Sequence, residues 1–170
     1  IRVRLKIVEK VIFFYGGNIG HAQDMTNIMR LALNMKSYPS AHFLIVGQGD
    51  EFKLINQLAD EWSLDNVTIL PSIPQSEFVH FLDVADIGLF SLSKEHTAHN
   101  FPGKILGYMS ASLPVLGSVN PNNDLLPLIN NADAGSVYVN GEDDLLATAA
   151  LELLKNSDLR INRGKKSYIL

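Results

Sequence analysis

The stretch Val11-Ile12-Phe13-Phe14-Tyr15-Gly16-Gly17 decides the fold. Five consecutive apolar or aromatic residues are too many for a strand with one face in water and suit a strand buried on both faces. Gly16 and Gly17 close the run. Just downstream, Met25, Ile28, Met29, Ala32 and Leu33 recur at helical spacing, so the strand leads into an amphipathic helix over residues 23–35. The same unit then repeats. Residues 41–46 read as strand and 51–62 as helix, 67–70 as strand and 77–82 as a short helix, and 86–90 as strand. A helix over residues 103–112 leads through Pro114 into the strand Val115-Leu116. Residues 124–130 are helical, 135–139 a strand, and 143–154 the last clear helix. Buried strands that each feed a helix predict an α/β fold: a Rossmann-like parallel sheet with helices on both faces.

Composition narrows the function classes. A length of 170 residues fits a single domain over residues 1–170, and 46% hydrophobic against 19% charged residues supports a packed core rather than disorder. A net charge of −4 lacks the basic excess of a nucleic-acid footprint, so no nucleic-acid partner is expected. The absence of cysteine excludes disulfides and thiolate metal sites, and is compatible with the cytoplasm. His21, His42, His80, His96 and His99 show no ligand spacing, so no metal is expected. No apolar run reaches the roughly 18–20 residues that span a bilayer. The start at Ile1 is abrupt, and Lys166 to Leu170 stop inside a helical pattern, so both ends read as cuts through a longer chain.

In parallel sheets, ligands bind beyond the carboxyl ends of the strands, which directs attention to residues 16–24, 47–50, 71–75, 91–104 and 118–124. Gly16-Gly17-Asn18-Ile19-Gly20 is either a backbone cradle for phosphate or a plain glycine turn. It does not match G-x-G-x-x-G, so a nicotinamide cofactor is disfavoured. Gly47-Gln48-Gly49-Asp50 reads as a turn with Asp50 as helix N-cap, or as a loop whose Gly47 faces a ligand. Asp65, Asp83 and Asp86 read as caps or solvated carboxylates, and no serine occupies a nucleophile elbow. The most informative stretch is Thr97-Ala98-His99-Asn100-Phe101-Pro102-Gly103-Lys104. Pro102 suits a first helical turn and Gly103 leaves backbone N–H groups uncovered. Lys104 then places a cation where the helix dipole opposes it, unless an anion lies alongside. The bland alternative is a solvated lysine.

With these residues in view, the order of motifs resembles the C-terminal domain of retaining GT-B glycosyltransferases of family 4, in the branch of bacterial surface-polysaccharide enzymes that includes the L-fucosamine transferases. The resemblance is carried by Tyr15-Gly16-Gly17-Asn18-Ile19-Gly20-His21-Ala22-Gln23, Phe43-Leu44-Ile45-Val46-Gly47-Gln48-Gly49, Asp65-Asn66-Val67-Thr68-Ile69-Leu70-Pro71 and Ala85-Asp86-Ile87-Gly88-Leu89. Phe101-Pro102-Gly103-Lys104-Ile105-Leu106-Gly107-Tyr108-Met109 and Leu113-Pro114-Val115-Leu116-Gly117 complete the set. It runs from about Val11 to the end of the chain.

The resemblance implies one half of a GT-B fold, holding a nucleotide-sugar donor, usually UDP-linked, as substrate with no further cofactor. The acceptor, a polyprenyl-linked saccharide of O-antigen or capsule synthesis, would be bound by a separate N-terminal domain at the inner face of the plasma membrane. Gly16, Gly17, Asn18, Gly20 and Gly47 would face the diphosphate and donor sugar, and Ser72 and Ile73 the base. Asn100, Phe101, Pro102, Gly103 and Lys104 would line the sugar and diphosphate. Two departures stand out. The glutamates that many family members carry eight positions apart fall at His99 and Gly107, and the usual Arg/Lys pair falls at Asn18 and Gln23. Lys104 and His99 are therefore the residues expected to act in catalysis. Two other classes fit the resemblance less fully: a non-catalytic nucleotide-binding module, and a GT-B UDP-sugar epimerase, which would need a cluster of acidic and basic groups beside the sugar.

Overall fold

The computed structural model describes residues 1–97 and 101–170. Its centre is the run quoted above, now strand β1 (Val11–Asn18), because residues buried on both sides need neighbours on both sides. The others are β2 (Ala41–Gln48), β3 (Val67–Pro71), β4 (Ile87–Ser91), β5 (Val115–Val119) and β6 (Gly135–Val139). They form one all-parallel sheet in the order β3-β2-β1-β4-β5-β6. Alternation along the strands divides the core in two. Phe13, Tyr15, Phe43, Ile45 and Leu89 point to one face, where they meet α1 (Met25–Asn34), α2 (Phe52–Glu61) and α6 (Asp143–Lys155). Ile12, Phe14, Leu44, Val46 and Phe90 point to the other, against α3 (Gln75–Val84), α4 (Gly103–Ser110) and α5 (Leu125–Asn131). Phe13 stacks on Phe43 across β1 and β2 with ring centroids 4.8 Å apart, and Phe14 meets Tyr108 of α4 edge-on at 6.2 Å.

The expected α/β fold with helices on both faces is therefore the observed one. Its boundaries differ in places that matter. Strand β1 does not stop at Tyr15: Gly16, Gly17 and Asn18 stay in the ladder opposite Val46, Gly47 and Gln48. A side chain on Gly47 would collide with the Gly17 carbonyl, so this glycine serves the close approach of two strands and is not a turn residue. The helical pattern at Lys166 to Leu170 belongs to a full helix that begins well before it. Asn156 breaks the chain, accepts a hydrogen bond from the Leu159 N–H, and starts α7 (Ser157–Ile169). Asp86 is no solvated carboxylate: its Oδ2 accepts from Arg2 Nη2 at 2.8 Å and from the Ile12 N–H at 2.7 Å, tying the N-terminal segment to the start of β1.

Strand β1 is the point where the strand order reverses, with β2 on one side and β4 on the other. The connection after β1 leads to α1 on one face and that after β4 to α4 on the other, which opens a crevice at their carboxyl ends, the general ligand position in open α/β sheets.

Candidate functional site

A cavity of about 690 Å3 occupies that crevice. Strand β1 contributes Gly16, Gly17 and Asn18, and β2 contributes Val46, Gly47 and Gln48. The segment leading into α3 adds Ser72 and Ile73, and α3 itself Gln75, Phe78, Val79 and Leu82. Pro102, Gly103, Lys104 and Gly107 come from the start of α4, and Gln23 from the short 3-10 turn His21–Gln23. Lys104 is the only charged side chain in this lining among the described residues.

The lysine is in an unusual position. Its Nζ is buried, has no hydrogen-bond acceptor among the described residues, and lies 3.7 Å from the centroid of the Tyr15 ring. That contact is a cation–π interaction with a fully buried ring. Gly17, two residues after Tyr15 on β1, borders the same side chain: its φ of +119° favours glycine, and a Cβ there would lie in ordinary contact with Lys104 Cε at 3.6 Å. Burial without an acceptor lowers the Lys104 pKa from the usual value near 10.5 to about 7. The expected fixed cation is thus one only in part at neutral pH. An anion in the cavity would supply the partner and restore the full charge.

The start of α4 supports the same site. Pro102 is its N-cap, with no side chain closing the end, and nothing stands within 4 Å of where a Gly103 side chain would point. Uncovered N–H groups and the positive end of the helix dipole favour an anion there.

Part of the backbone of the glycine segment is engaged within the protein. The Gly16 N–H donates to the Tyr108 hydroxyl at 3.1 Å, while that hydroxyl donates to the Leu89 carbonyl at 2.9 Å. The Ile19 N–H is taken by the Gln48 carbonyl, and the His21 N–H by Asp50 Oδ1 at 3.0 Å. Asp50 therefore secures the turn after β1 and does not cap α2. Nor is the N-terminus of α1 free: the Met25 N–H donates to Glu51 Oε2 at 2.9 Å. At the β1–α1 connection the N–H groups of Gly16, Ile19, His21 and Met25 are therefore taken by Tyr108, Gln48, Asp50 and Glu51, while Gly16, Gly17 and Asn18 still line the cavity.

Of the residues singled out from the sequence, Gly16, Gly17, Asn18, Gly47, Ser72, Ile73, Pro102, Gly103 and Lys104 meet at this cavity. Gly20 does not line it. It lies behind the side chains of Asn18 and Gln23, which are hydrogen bonded to each other at 2.9 Å. Phe101 is outside the lining and exposed. His99 and Asn100 lie outside the described residues. Sequence reasoning missed Tyr15 and Tyr108 as site residues. Tyr15 read as part of a buried strand and Tyr108 only as a member of the Phe101–Met109 motif; their contacts with Lys104 and Gly16 reveal the second role.

A family model described as glycosyl transferases group 1 matches residues 1–169. The chain belongs to that family. No curated protein sequence matches this group 1 domain significantly. Among solved structures, it resembles WaaG, a glycosyltransferase involved in lipopolysaccharide biosynthesis, with a TM-score of 0.78 and 18% identity over 99% of this chain and 44% of that one. It is similar to the C-terminal domain of a glycosyl transferase group 1 family protein (LpcC) from Francisella tularensis, with a TM-score of 0.78 and 19% identity over 98% and 87% of the two chains. Anabaena Alr3699/HepE, in complex with UDP and glucose, gives a TM-score of 0.79 at 15% identity over 99% of this chain and 45% of that one. The chain thus spans less than half the length of WaaG and HepE and most of the LpcC C-terminal domain. At such identities the likeness shows the fold alone. Among the described residues no helix is long and apolar enough to cross a membrane.

Proposed function

We propose that this domain binds the nucleotide-sugar donor of a glycosyltransferase, a UDP-linked N-acetyl sugar by preference, with the diphosphate held at Lys104 and the start of α4. The observation that carries the reading is the buried Lys104 amine, without an acceptor among the described residues and facing a cavity bounded by Gly17 and the start of α4. A partnerless buried ammonium is unfavourable, whereas the same group beside a diphosphate forms charge-assisted hydrogen bonds. The UDP complexes of HepE support the nucleotide class by analogy.

Transfer would break the bond between the sugar's anomeric carbon and the β-phosphate oxygen, leaving negative charge on the departing diphosphate. Stabilising that charge is the main catalytic task, and Lys104 with the α4 backbone would perform it. His99, outside the described residues, is the second residue assigned to catalysis, on the resemblance of motifs alone. The reading needs no cofactor beyond the donor itself. Retention of configuration, a likeness to the L-fucosamine transferases, and a polyprenyl-linked acceptor in O-antigen or capsule synthesis at the inner membrane face complete it. These rest on the resemblance of motifs. One observation favours a second reading, a nucleotide-binding module without catalysis: no acidic side chain lines the cavity among the described residues.

Calorimetric titration with UDP and UDP-N-acetylhexosamines tests the proposal. Binding is expected, with Lys104→Ala at least ten-fold weaker. Failure of every UDP ligand to bind the full-length protein would sink the donor reading. Unchanged affinity in Lys104→Ala would remove only the phosphate assignment. Binding without any sugar transfer by the full-length protein would favour the second reading.

A further inference from the structure

The ladder between β1 and β4 pairs only Phe13 with Ile87 and Phe14 with Gly88, while β1 stays paired with β2 through Asn18. A gap between β1 and β4 therefore opens above Phe14. Tyr108 closes its base, with its hydroxyl joining the Gly16 N–H to the Leu89 carbonyl where the ladder would continue. Lys104 lies one turn before Tyr108 on the same face of α4. Helix α4 packs on the Phe14 side of the sheet, yet the Lys104 amine rests on the Tyr15 ring, which belongs to the core of the other side. The side chain thus reaches through the gap. Its Cε and Nζ are the atoms nearest to a Cβ built on Gly17, at 3.6 and 3.8 Å.

Lys104 lines the cavity, but its Nζ is closed off from solvent. A phosphate oxygen is as large as a water molecule, so it cannot touch this amine where it rests. The ring cannot follow the amine outward, because Tyr15 is fully buried and its hydroxyl donates to the Asn18 carbonyl at 2.6 Å. Contact with an anion therefore requires the lysine side chain to swing. We propose that Tyr15 is a positioning residue: its ring holds the ligand-free Lys104 amine in a closed niche between β1 and β4, and an anion binds in the cavity by drawing the amine off the ring. The identity of that anion, the donor's diphosphate, rests on the donor reading above. The pull of the ring on the ammonium opposes binding, since it acts in the ligand-free state alone.

The test is NMR of the full chain with lysine isotope-labelled at Cε, the Lys104 signal being the one lost in Lys104→Arg. Protons over an aromatic face are shifted upfield. The Lys104 methylene of the ligand-free wild type, and of Tyr15→Phe, is therefore expected upfield of the exposed Lys6, Lys53 and Lys165. Saturation with UDP or with inorganic pyrophosphate is expected to return it to the position of those lysines. Tyr15→Leu is expected to place it there without ligand, and to bind UDP at least three-fold more tightly by calorimetry. Should that variant fail to fold, the wild-type and Tyr15→Phe titrations carry the test. A Lys104 signal at the ordinary position in the ligand-free protein overturns the proposal, and so does one that stays upfield at saturation. If UDP does not bind but pyrophosphate binds and moves the signal, the donor reading fails and the positioning role stands. Binding of neither overturns both.

Discussion

The Lys104 amine lies 3.7 Å from the centre of the Tyr15 ring, and no other group described accepts a hydrogen bond from it. Tyr15 is itself immobilised, its hydroxyl donating to the Asn18 carbonyl at 2.6 Å. The lysine is thus held over a fixed aromatic face at the edge of an otherwise neutral cavity.

Its lowered pKa, about 7, makes anion binding pH-linked. A bound diphosphate favours the charged form, so above pH 7 binding draws a proton from solution. Calorimetry at pH 8 in buffers of differing ionisation enthalpy is expected to report uptake of close to one proton per UDP. In Lys104→Met that uptake is expected to vanish.

The same burial affects the ligand-free protein. Because the folded pKa lies below the unfolded value near 10.5, the unfolded chain binds more protons between about pH 7 and 10.5. The penalty is therefore largest below pH 7 and fades as pH rises. Lys104→Met is expected to raise the melting temperature at pH 6 and to lose that advantage by pH 10. A destabilised Lys104→Met at pH 6 would show that the lysine has a partner when no ligand is bound.

Tyr108→Phe would leave the Gly16 N–H and the Leu89 carbonyl without the hydroxyl that joins them. Leaving such buried groups unpaired costs about 1–3 kcal/mol. Chemical denaturation is expected to show that loss, with an unchanged m-value because the fold persists.

Gly47→Ala places a methyl group against the Gly17 carbonyl, and the strands must separate to admit it. Overpacking of this kind typically costs about 1–3 kcal/mol. Since Gly17 also borders Lys104, UDP affinity is expected to fall along with the denaturation midpoint.

Glu51→Gln weakens the closure of α1, whose first N–H its carboxylate accepts. A loss of about 1 kcal/mol in stability is expected, the usual scale of a helix cap. UDP affinity is expected to stay within two-fold, because Glu51 does not line the cavity.

Much of this was legible in the sequence. The runs at Val11–Tyr15 and Ala41–Val46 read as strands buried on both faces, and the spacing of Met25, Ile28, Met29 and Ala32 marked a helix with one buried face; both patterns are local properties of the chain. The conflict between Lys104 and its helix dipole was legible for the same reason, since charge and helix end are adjacent in sequence. Helix α7 escaped a firm reading because its pattern is weak: only Gly164 and Ser167 are buried in it.

The sequence by itself determined the order of strands and helices, the double-sided burial of the sheet and the placing of a cation at the start of α4. Hydrophobic periodicity and helix-end chemistry depend on residues a few positions apart. Only the tertiary structure decided which backbone donors are left for a ligand and how much charge Lys104 keeps. Gly16 loses its N–H to a tyrosine 92 residues away, and α1 is closed by a glutamate 26 residues from its first residue. Desolvation of the lysine likewise depends on Tyr15, brought to it from a distant strand. Hydrogen-bond partnership and burial arise from three-dimensional proximity, which no local pattern in the chain encodes.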